Sequence, residues 1–391
     1  MDINKALSNI DFFKVTKVII APSAPKFSEV WMSRINEIFG EKTIFIALNG
    51  DYDVDTIDRM NYISLSKKSI IPNRLNIFIQ STRIRHNLKL IIDKLPKNTI
   101  VLCHYLTTAA FFRHIIKKNK NNRFYVYCHG HDVTWDRKIE KFPLINAHSP
   151  FYKNQVKELI GFVHLISNSL VTKKKLKEIG FRDKDISINH LSIDTDQMQP
   201  VNKNYSNSIK ILYLGRLTDF KGPVETIRAF ELASKNGLQG ELHIVGDGAK
   251  MSECKKIAKY SKYHKRIFIH GAVDKYRAIN FFQNADVFSA HNQLSTKTNQ
   301  EEAFGVSIIE AMAFGLPVVT GRSGGVVETV VDGKTGILFD SGNIDAHASA
   351  FIKLSENIEL RKLMGENARR RAVNLFDIKD DRVKLLRILE K

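Results

Sequence analysis

The stretch Glu301-Glu302-Ala303-Phe304-Gly305-Val306-Ser307-Ile308-Ile309-Glu310-Ala311-Met312-Ala313 sets two carboxylates on either side of a glycine and an apolar run. Val306, Ile309 and Ala313 recur at helical spacing, so Gly305 reads as the opening of a helix. The free N–H groups of that helix end point to where Glu302 lies. Glu310, one and a half turns further in, then sits among Val306, Ile309, Ala313 and Phe314. A carboxylate in such company is costly unless it is paired. Two explanations stand side by side: a structural hydrogen bond or exposed face, or a pair of glutamates that accept hydrogen bonds from ligand hydroxyls such as ribose or sugar diols.

Working outward, Leu212-Tyr213-Leu214-Gly215-Arg216-Leu217-Thr218-Asp219-Phe220-Lys221-Gly222-Pro223 reads as a buried strand, a basic loop and a helix that Pro223 can begin. Arg216, Lys221 and a helix N-terminus beyond a strand end suit an anion. The spacing matches neither a Walker A loop nor a dinucleotide fingerprint, and a turn with solvated charges is the competing reading. Val245-Gly246-Asp247-Gly248 closes the next strand and, alone, is an ordinary strand-to-helix turn.

Short β-branched runs alternate with amphipathic segments along the chain. The first half offers strands at Val18–Ile20, Thr43–Ile46, Thr99–Leu102, Phe124–Tyr127, Val163–Ile166 and Ile186–Ile188. The second offers Ile209–Leu214, Leu242–Val245, Ile267–Ile269, Val287-Phe288, Pro317–Val319 and Gly336–Leu338. Continuous apolar strands separated by helices imply parallel sheets covered on both faces. Two such sheets make an α/β protein of two doubly wound domains facing a cleft, over residues 1–190 and 209–375. Residues 191–208, polar and with little apolar periodicity, read as the linker. The segment from Ile344 onward carries helical spacing only, and 376–391 reads as a last helix packing back on the first domain.

Composition narrows the partners. The chain has 391 residues, 43% hydrophobic and 26% charged, too many for one core. Three scattered cysteines, Cys103, Cys128 and Cys254, make no disulfide framework. The opening Met-Asp-Ile-Asn-Lys lacks a basic region leading into an apolar one, so no secretory signal is expected. The apolar run Ala303 to Gly321 carries Glu310 and Pro317, so no membrane span is expected either. The formal net charge is +19, with 31 basic and 19 acidic residues in positions 1–200 against 29 and 22 thereafter. The first-half excess lies in runs beside apolar residues: Lys67-Lys68, then Arg83, Arg85 and Lys89, then Arg113, Lys117, Lys118 and Lys120 after Phe111-Phe112. Such runs are either solvated helix faces or a docking patch for an anionic membrane or polyanion.

The ordered series Gly215-Arg216 through Lys221-Gly222, Gly246-Asp247-Gly248, Gly271-Ala272-Val273, Glu302 and Glu310 with seven residues between, Ala311-Met312-Ala313 and Gly315-Leu316-Pro317-Val318-Val319 resembles the nucleotide-binding half of the retaining glycosyltransferases of family four. Gly324-Gly325, Glu328 and Gly333-Lys334-Thr335-Gly336 complete it, over about 130 residues. In the first half, His129-Gly130-His131-Asp132 is similar to the family's His-Gly motif, and Asn189 to Pro200 to its interdomain signature. Pro25-Lys26-Phe27-Ser28-Glu29-Val30 lies where many members carry a glycine loop and some carry Ser-Glu-Thr; here Val30 replaces the Thr.

The resemblance implies the GT-B fold and a retaining, metal-independent sugar transfer without a cofactor. The co-substrate would be a nucleotide-diphosphate sugar, foremost a UDP-sugar. It implies that His129 and Glu302 act on the donor sugar. Gly215, Arg216, Lys221, Gly246, Asp247, Gly248, Val273, Phe304, Gly305, Val306 and Glu310 would hold the nucleotide, with the base near Val273 and the ribose on Glu310. Ser28, Glu29, His104 and Asp132 are the expected acceptor-side residues. A lipid-linked or polymeric saccharide acceptor, as in lipopolysaccharide or capsule assembly at the inner face of the cytoplasmic membrane, completes the expectation.

Rival readings share these residues. Asp51-Tyr52-Asp53-Val54-Asp55 suggests a metal site, but a calcium loop needs Gly where Thr56 stands and Glu where Tyr62 stands. Cys103-His104 and Cys128-His129 invite zinc, yet strand neighbours face opposite sides, so each pair offers one ligand to a common metal. A sugar-nucleotide epimerase or a phosphorylase of the same fold remains, although no pyridoxal-phosphate lysine can be placed. A non-enzymatic binder of nucleic acid or anionic glycan is the third class, but no module interleaving aromatics with a basic groove is present, so nucleic acid is not expected.

Overall fold

The structure is a computed structural model that describes residues 10–23, 39–49, 56–57, 60–65, 74–133 and 151–390. Ser28, Glu29 and the acidic turn at 51–55 lie outside the described residues.

Among the described residues fourteen strands form two sheets. The first contains β1 (Lys17–Ala21), β2 (Thr43–Ala47), β3 (Thr56–Ile57), β4 (Met60–Ser64), β5 (Ile100–His104), β6 (Arg123–Cys128), β7 (His164–Ser167) and β8 (Ile186–Ile188), in the order β3-β4-β2-β1-β5-β6-β7-β8. The second contains β9 (Ile209–Leu214), β10 (Gly240–Val245), β11 (Ile267–Gly271), β12 (Val287–Ala290), β13 (Val318–Gly321) and β14 (Gly336–Phe339), in the order β11-β10-β9-β12-β13-β14. Every pairing is parallel except β3 with β4. The twelve expected strands are all there. The two extra ones, β3 and β4, sit at an edge, and Asn61 and Ser64 break the apolar run that would have marked β4.

Strand residues alternate between two cores because their side chains alternate between faces. Along β1, Ile19 and Ala21 join one cluster while Val18 and Ile20 join the other. The larger cluster does not stop at the domain boundary. It runs from Tyr125 and Tyr127 of β6 through Leu191, Ile193 and Met198 into the second sheet. The expected linker is therefore anchored rather than solvated: Leu191, Ile193 and Met198 are buried, and each such side chain contributes about 2 kcal/mol on burial.

After helix Ile358–Phe376 the chain returns to the first sheet. Ile193 pairs with Asp377 in a parallel bridge. The final helix, Ile378–Leu389, begins beneath Asn189 and Ser192, whose side chains both donate to the Asp381 carboxylate, Ser192 Oγ at 2.7 Å. At its far end Leu389 O accepts from Tyr125 Oη at 3.1 Å.

Each sheet changes winding direction once. In the second the change lies between β9 and β12, where chain order departs to opposite sides, and in open α/β sheets the crevice at that point receives ligands. Among the described residues no helix is long and apolar enough to cross a membrane.

Candidate active site

A cavity of about 550 Å³ opens at the carboxyl ends of β9, β10 and β11 and is roofed by loops of the first domain. Gly215, Arg216 and Lys221 enter it from the loop after β9, Gly246 and Asp247 from the loop after β10, and Val273 from the loop after β11. Glu302, Phe304, Gly305, Val306 and Glu310 form the opposite wall, and His129 reaches in from the first domain. Gly248 does not line it. A Cβ there would stand 2.6 Å from Leu217 O, so that glycine serves close packing of two loops beneath the site.

Gly305, at φ 94°, caps helix Val306–Ala313 without any side-chain acceptor. The first backbone N–H groups of the helix are thus left facing the cavity, with the positive end of the helix dipole behind them. Lys221 closes the short 3-10 turn Asp219–Lys221, and its Nζ lies 2.5 Å from Glu302 Oε2. Burial opposes the charge on Glu302, but Lys221, Arg216 and the backbone N–H of Phe304 outweigh it and hold the carboxyl below its ordinary range. Glu302 is accordingly an anion with one side committed to Lys221. Arg216 remains exposed at the mouth.

His129 follows β6 and is half-buried. Its ring lies parallel to Tyr127 with centroids 4.9 Å apart, and the edge of Tyr105 meets it at 4.7 Å. Burial first, then His104 and His131, push its pKa well down, so the imidazole is neutral and can both donate and accept. The expected acceptor-side residues His104 and Asp132 do not face the cleft; both are fully buried. His104 Nδ1 stands 3.2 Å from His129 Nε2, and burial lowers the pKa of His104 to about 3. Asp132 accepts from His129 N at 2.9 Å and from Leu106 N at 2.7 Å, tying the loops after β5 and β6 together. His104 closes β5 and Asp132 lies four residues beyond β6, but the side each would face was not legible from neighbours alone.

The domains touch around the site. A Cβ on Gly130 would come within 2.3 Å of Ala303 Cβ. Lys175 pairs with Glu301. Glu328 accepts from Leu170 N at 2.8 Å, Val171 N at 3.1 Å and His190 Nε2 at 3.3 Å. His190 in turn stacks on Phe304 at 5.3 Å.

Tyr105, Asn168 and Lys275 also line the cavity and were not singled out in the sequence. Tyr105, at φ 70°, is a non-glycine residue in the left-handed region, a strain that clusters at functional sites. The signal that would have found Tyr105 and Asn168 is their place immediately after β5 and β7. Cys103 and Cys128 are buried, and among the described residues no three His, Cys, Asp or Glu side chains converge to hold a metal ion.

Two facing parallel-sheet domains with this cleft define the GT-B architecture. Residues 194–371, a little under half of the chain, match the family described as glycosyl transferases group 1. An uncharacterized glycosyltransferase of Methanocaldococcus jannaschii is 28% identical over 233 residues, 57% of this chain and 58% of its own. The capsular polysaccharide biosynthesis glycosyltransferase CapM of Staphylococcus aureus is 27% identical over 220 residues, 54% of each chain. The match thus spans little more than half the length of these two curated relatives. The crystal structure of Anabaena HepE in complex with UDP-glucose superposes with a TM-score of 0.75 at 15% identity, covering 96% of this chain and 99% of that one.

Proposed function

We propose that the protein is a retaining glycosyltransferase that moves a sugar from a nucleotide-diphosphate sugar, foremost a UDP-sugar, to a lipid-linked or polymeric saccharide acceptor in surface polysaccharide assembly. The observation that carries this reading is the convergence of Arg216, Lys221, the open helix end at Gly305, Glu302 and Glu310 on one cavity at the point where the second sheet changes direction.

Charge on the diphosphate grows as the glycosidic bond breaks. Arg216, Lys221 and the helix N–H groups are already aimed at it, so they stabilise the transition state more than the ground state. The Glu302 oxygen not bound to Lys221 accepts from hydroxyls of the donor sugar, Glu310 from the ribose, and neutral His129 bonds the sugar from the opposite domain. Attack from the face that the leaving phosphate vacates retains configuration, with that phosphate taking the acceptor proton and no protein nucleophile required. Two cations offset the diphosphate, which supports transfer without a metal; activity unaffected by chelator is the expected result.

The basic runs of the first domain converge in part. Arg85 lies over the Phe111 ring at 4.8 Å, and burial together with nearby Arg113 lowers its pKa. Glu158 pairs with Arg113 at 2.9 Å and Lys117 at 3.0 Å, so one carboxylate is shared by two cations of the run and offsets one of their charges. The remaining face supports peripheral association with an anionic membrane. Sedimentation with phosphatidylglycerol vesicles at low salt tests it, and equal recovery with neutral vesicles would remove it.

The decisive experiment is a screen of sugar nucleotides for hydrolysis and thermal stabilisation, repeated on Glu302→Ala. Loss of turnover in the variant is expected, and full turnover would sink the assignment.

A further inference from the structure

Asn168 follows β7, lines the cavity and is 1% exposed. The residues on either side of it close the turn into helix Leu170–Ile179 by themselves. Ser167 Oγ donates to Ser169 O at 2.7 Å, Ser169 Oγ donates to Thr172 Oγ1 at 2.9 Å, and Thr172 N donates back to Ser169 Oγ at 3.0 Å. Asn168 Oδ1, by contrast, has no hydrogen-bond partner among the described residues. Two other buried amide oxygens are also unmatched, those of Asn189 and Asn292, but their amide nitrogens are held by the fold, on Asp381 and on Thr320 Oγ1 at 3.0 Å. A buried polar atom with no partner in the fold and a cavity beside it has a ligand as its natural partner.

We propose that the Asn168 carboxamide binds a hydroxyl of the donor sugar, making it a specificity-determining residue contributed by the first domain. This rests on the nucleotide-sugar reading above. A neutral amide offers an acceptor oxygen beside two donor hydrogens, which matches a hydroxyl that both gives and takes a proton and does not match a phosphate. The diphosphate cations, Arg216 and Lys221, belong to the other domain. Position favours the donor sugar over the acceptor. Leu170 N, two residues on, donates to Glu328, whose helix Val326–Thr329 starts beside Gly325, and Gly325 N donates at 2.8 Å to the carbonyl of Glu302. Asn168 is thereby tied, through two hydrogen bonds, to the backbone that carries the sugar-facing carboxylate.

The test uses the full chain, wild type and with Asn168→Ala or Asn168→Ser. Calorimetric titration with UDP and GDP, alone and as their glucose, galactose and N-acetylglucosamine conjugates, separates the sugar's contribution from that of the nucleotide. The expected result is unchanged affinity for the nucleoside diphosphate and a loss of about tenfold or more for the preferred conjugate in Asn168→Ala, partly restored in Asn168→Ser. The melting temperature of Asn168→Ala should equal that of the wild type, since no bond within the fold is removed. An unchanged ratio of conjugate to diphosphate affinity overturns the assignment, as does a clear fall in melting temperature with both ligands weakened alike. A wild type that binds none of these nucleotides overturns the nucleotide-sugar reading itself.

Discussion

Lys221 Nζ lies 2.5 Å from Glu302 Oε2, with the two side chains 15% and 12% exposed. In the proposed reaction Lys221 would meet the diphosphate and Glu302 the sugar, so the pair would fix the spacing between the two ends of the donor. Removing either partner leaves a largely buried charge without its counterion, which costs about 3 kcal/mol. Lys221→Met and Glu302→Gln should each depress turnover at least a hundredfold and lower the melting temperature, and the double variant should be more stable than the two single losses predict. A double-mutant cycle in urea measures the coupling; strict additivity would contradict the pairing.

Gly215 and Gly246 stand on adjacent strand ends but make opposite predictions. A Cβ on Gly246, at φ 137°, would stand 1.9 Å from Gly215 O, a backbone clash with no flexible side chain to yield. Gly246→Ala should therefore destabilise the second domain by about 3 kcal/mol or more. A Cβ on Gly215 meets nothing closer than Lys221 Cδ at 3.7 Å. Gly215→Ala should melt as the wild type does and weaken nucleotide binding about tenfold, because its methyl enters the cavity. Equal melting losses in both variants would refute the distinction.

Glu328 of the second domain bonds two N–H groups at the start of helix Leu170–Ile179 in the first. Burial disfavours its charge, yet His190 and those N–H groups prevail and keep its carboxyl below the ordinary range. A carboxylate on a helix N-terminus is worth about 1 kcal/mol or slightly more. Glu328→Ala should widen the molecule in solution, read as a larger radius of gyration by X-ray scattering, with Glu328→Gln between it and the wild type. Identical scattering of all three would show that the contact does not hold the domains together.

Acid should weaken the fold through its buried histidines. In the second domain Gly342 N donates to His291 Nε2 at 3.0 Å, so the proton of His291 sits on Nδ1 and is given to His347 Nδ1, also at 3.0 Å. His347 Nε2 then donates to Ser289 Oγ at 2.7 Å, and Ser289 Oγ to Val319 O at 3.1 Å. Every position in this chain is filled when both rings are neutral, and a second proton on either ring sets two donors against each other. Burial lowers the pKa of His291 to about 4, that of His104 to about 3, and that of His347 well down. The unfolded chain binds these protons near pH 6.5, so stability is complete above that value and falls as pH drops toward 4, by up to about 1.4 kcal/mol per pH unit for each ring. Urea midpoints at pH 7.5, 6.0 and 5.0 should fall in that order; a flat series would rule this out.

The sheets were legible because parallel strands covered on both faces are written as nearly continuous apolar runs. Ile209–Leu214 and Val318–Val319 needed no context to be read. The second-domain wall of the cavity was legible too, since Gly215, Lys221, Glu302 and Glu310 owe their places to local turns and one helix. What escaped was set by distant packing. His104 closes β5 and Asp132 shares the loop after β6 with His129, and only the arrangement of β5 against β6 decides that His129 lines the cleft while the other two lie beneath it. Asn168 escaped for a related reason: a single amide among serines looks like a cap until the serines are seen to complete the cap without it.

The chain passes between the domains twice, at Asn189–Ile193 and at Phe376–Ile378, and Ile193 N donates to Phe376 O while Ile378 N donates to Ile193 O, both at 2.9 Å. Two crossings laced side by side behave as one short hinge pin. Sliding or twisting of the domains past each other would tear these bonds, whereas a swing about that single line would spare them. Such a swing would carry Gly130 away from Ala303 and back, opening the cavity along the edge opposite the pin. Substrate would then enter and product leave by that one edge.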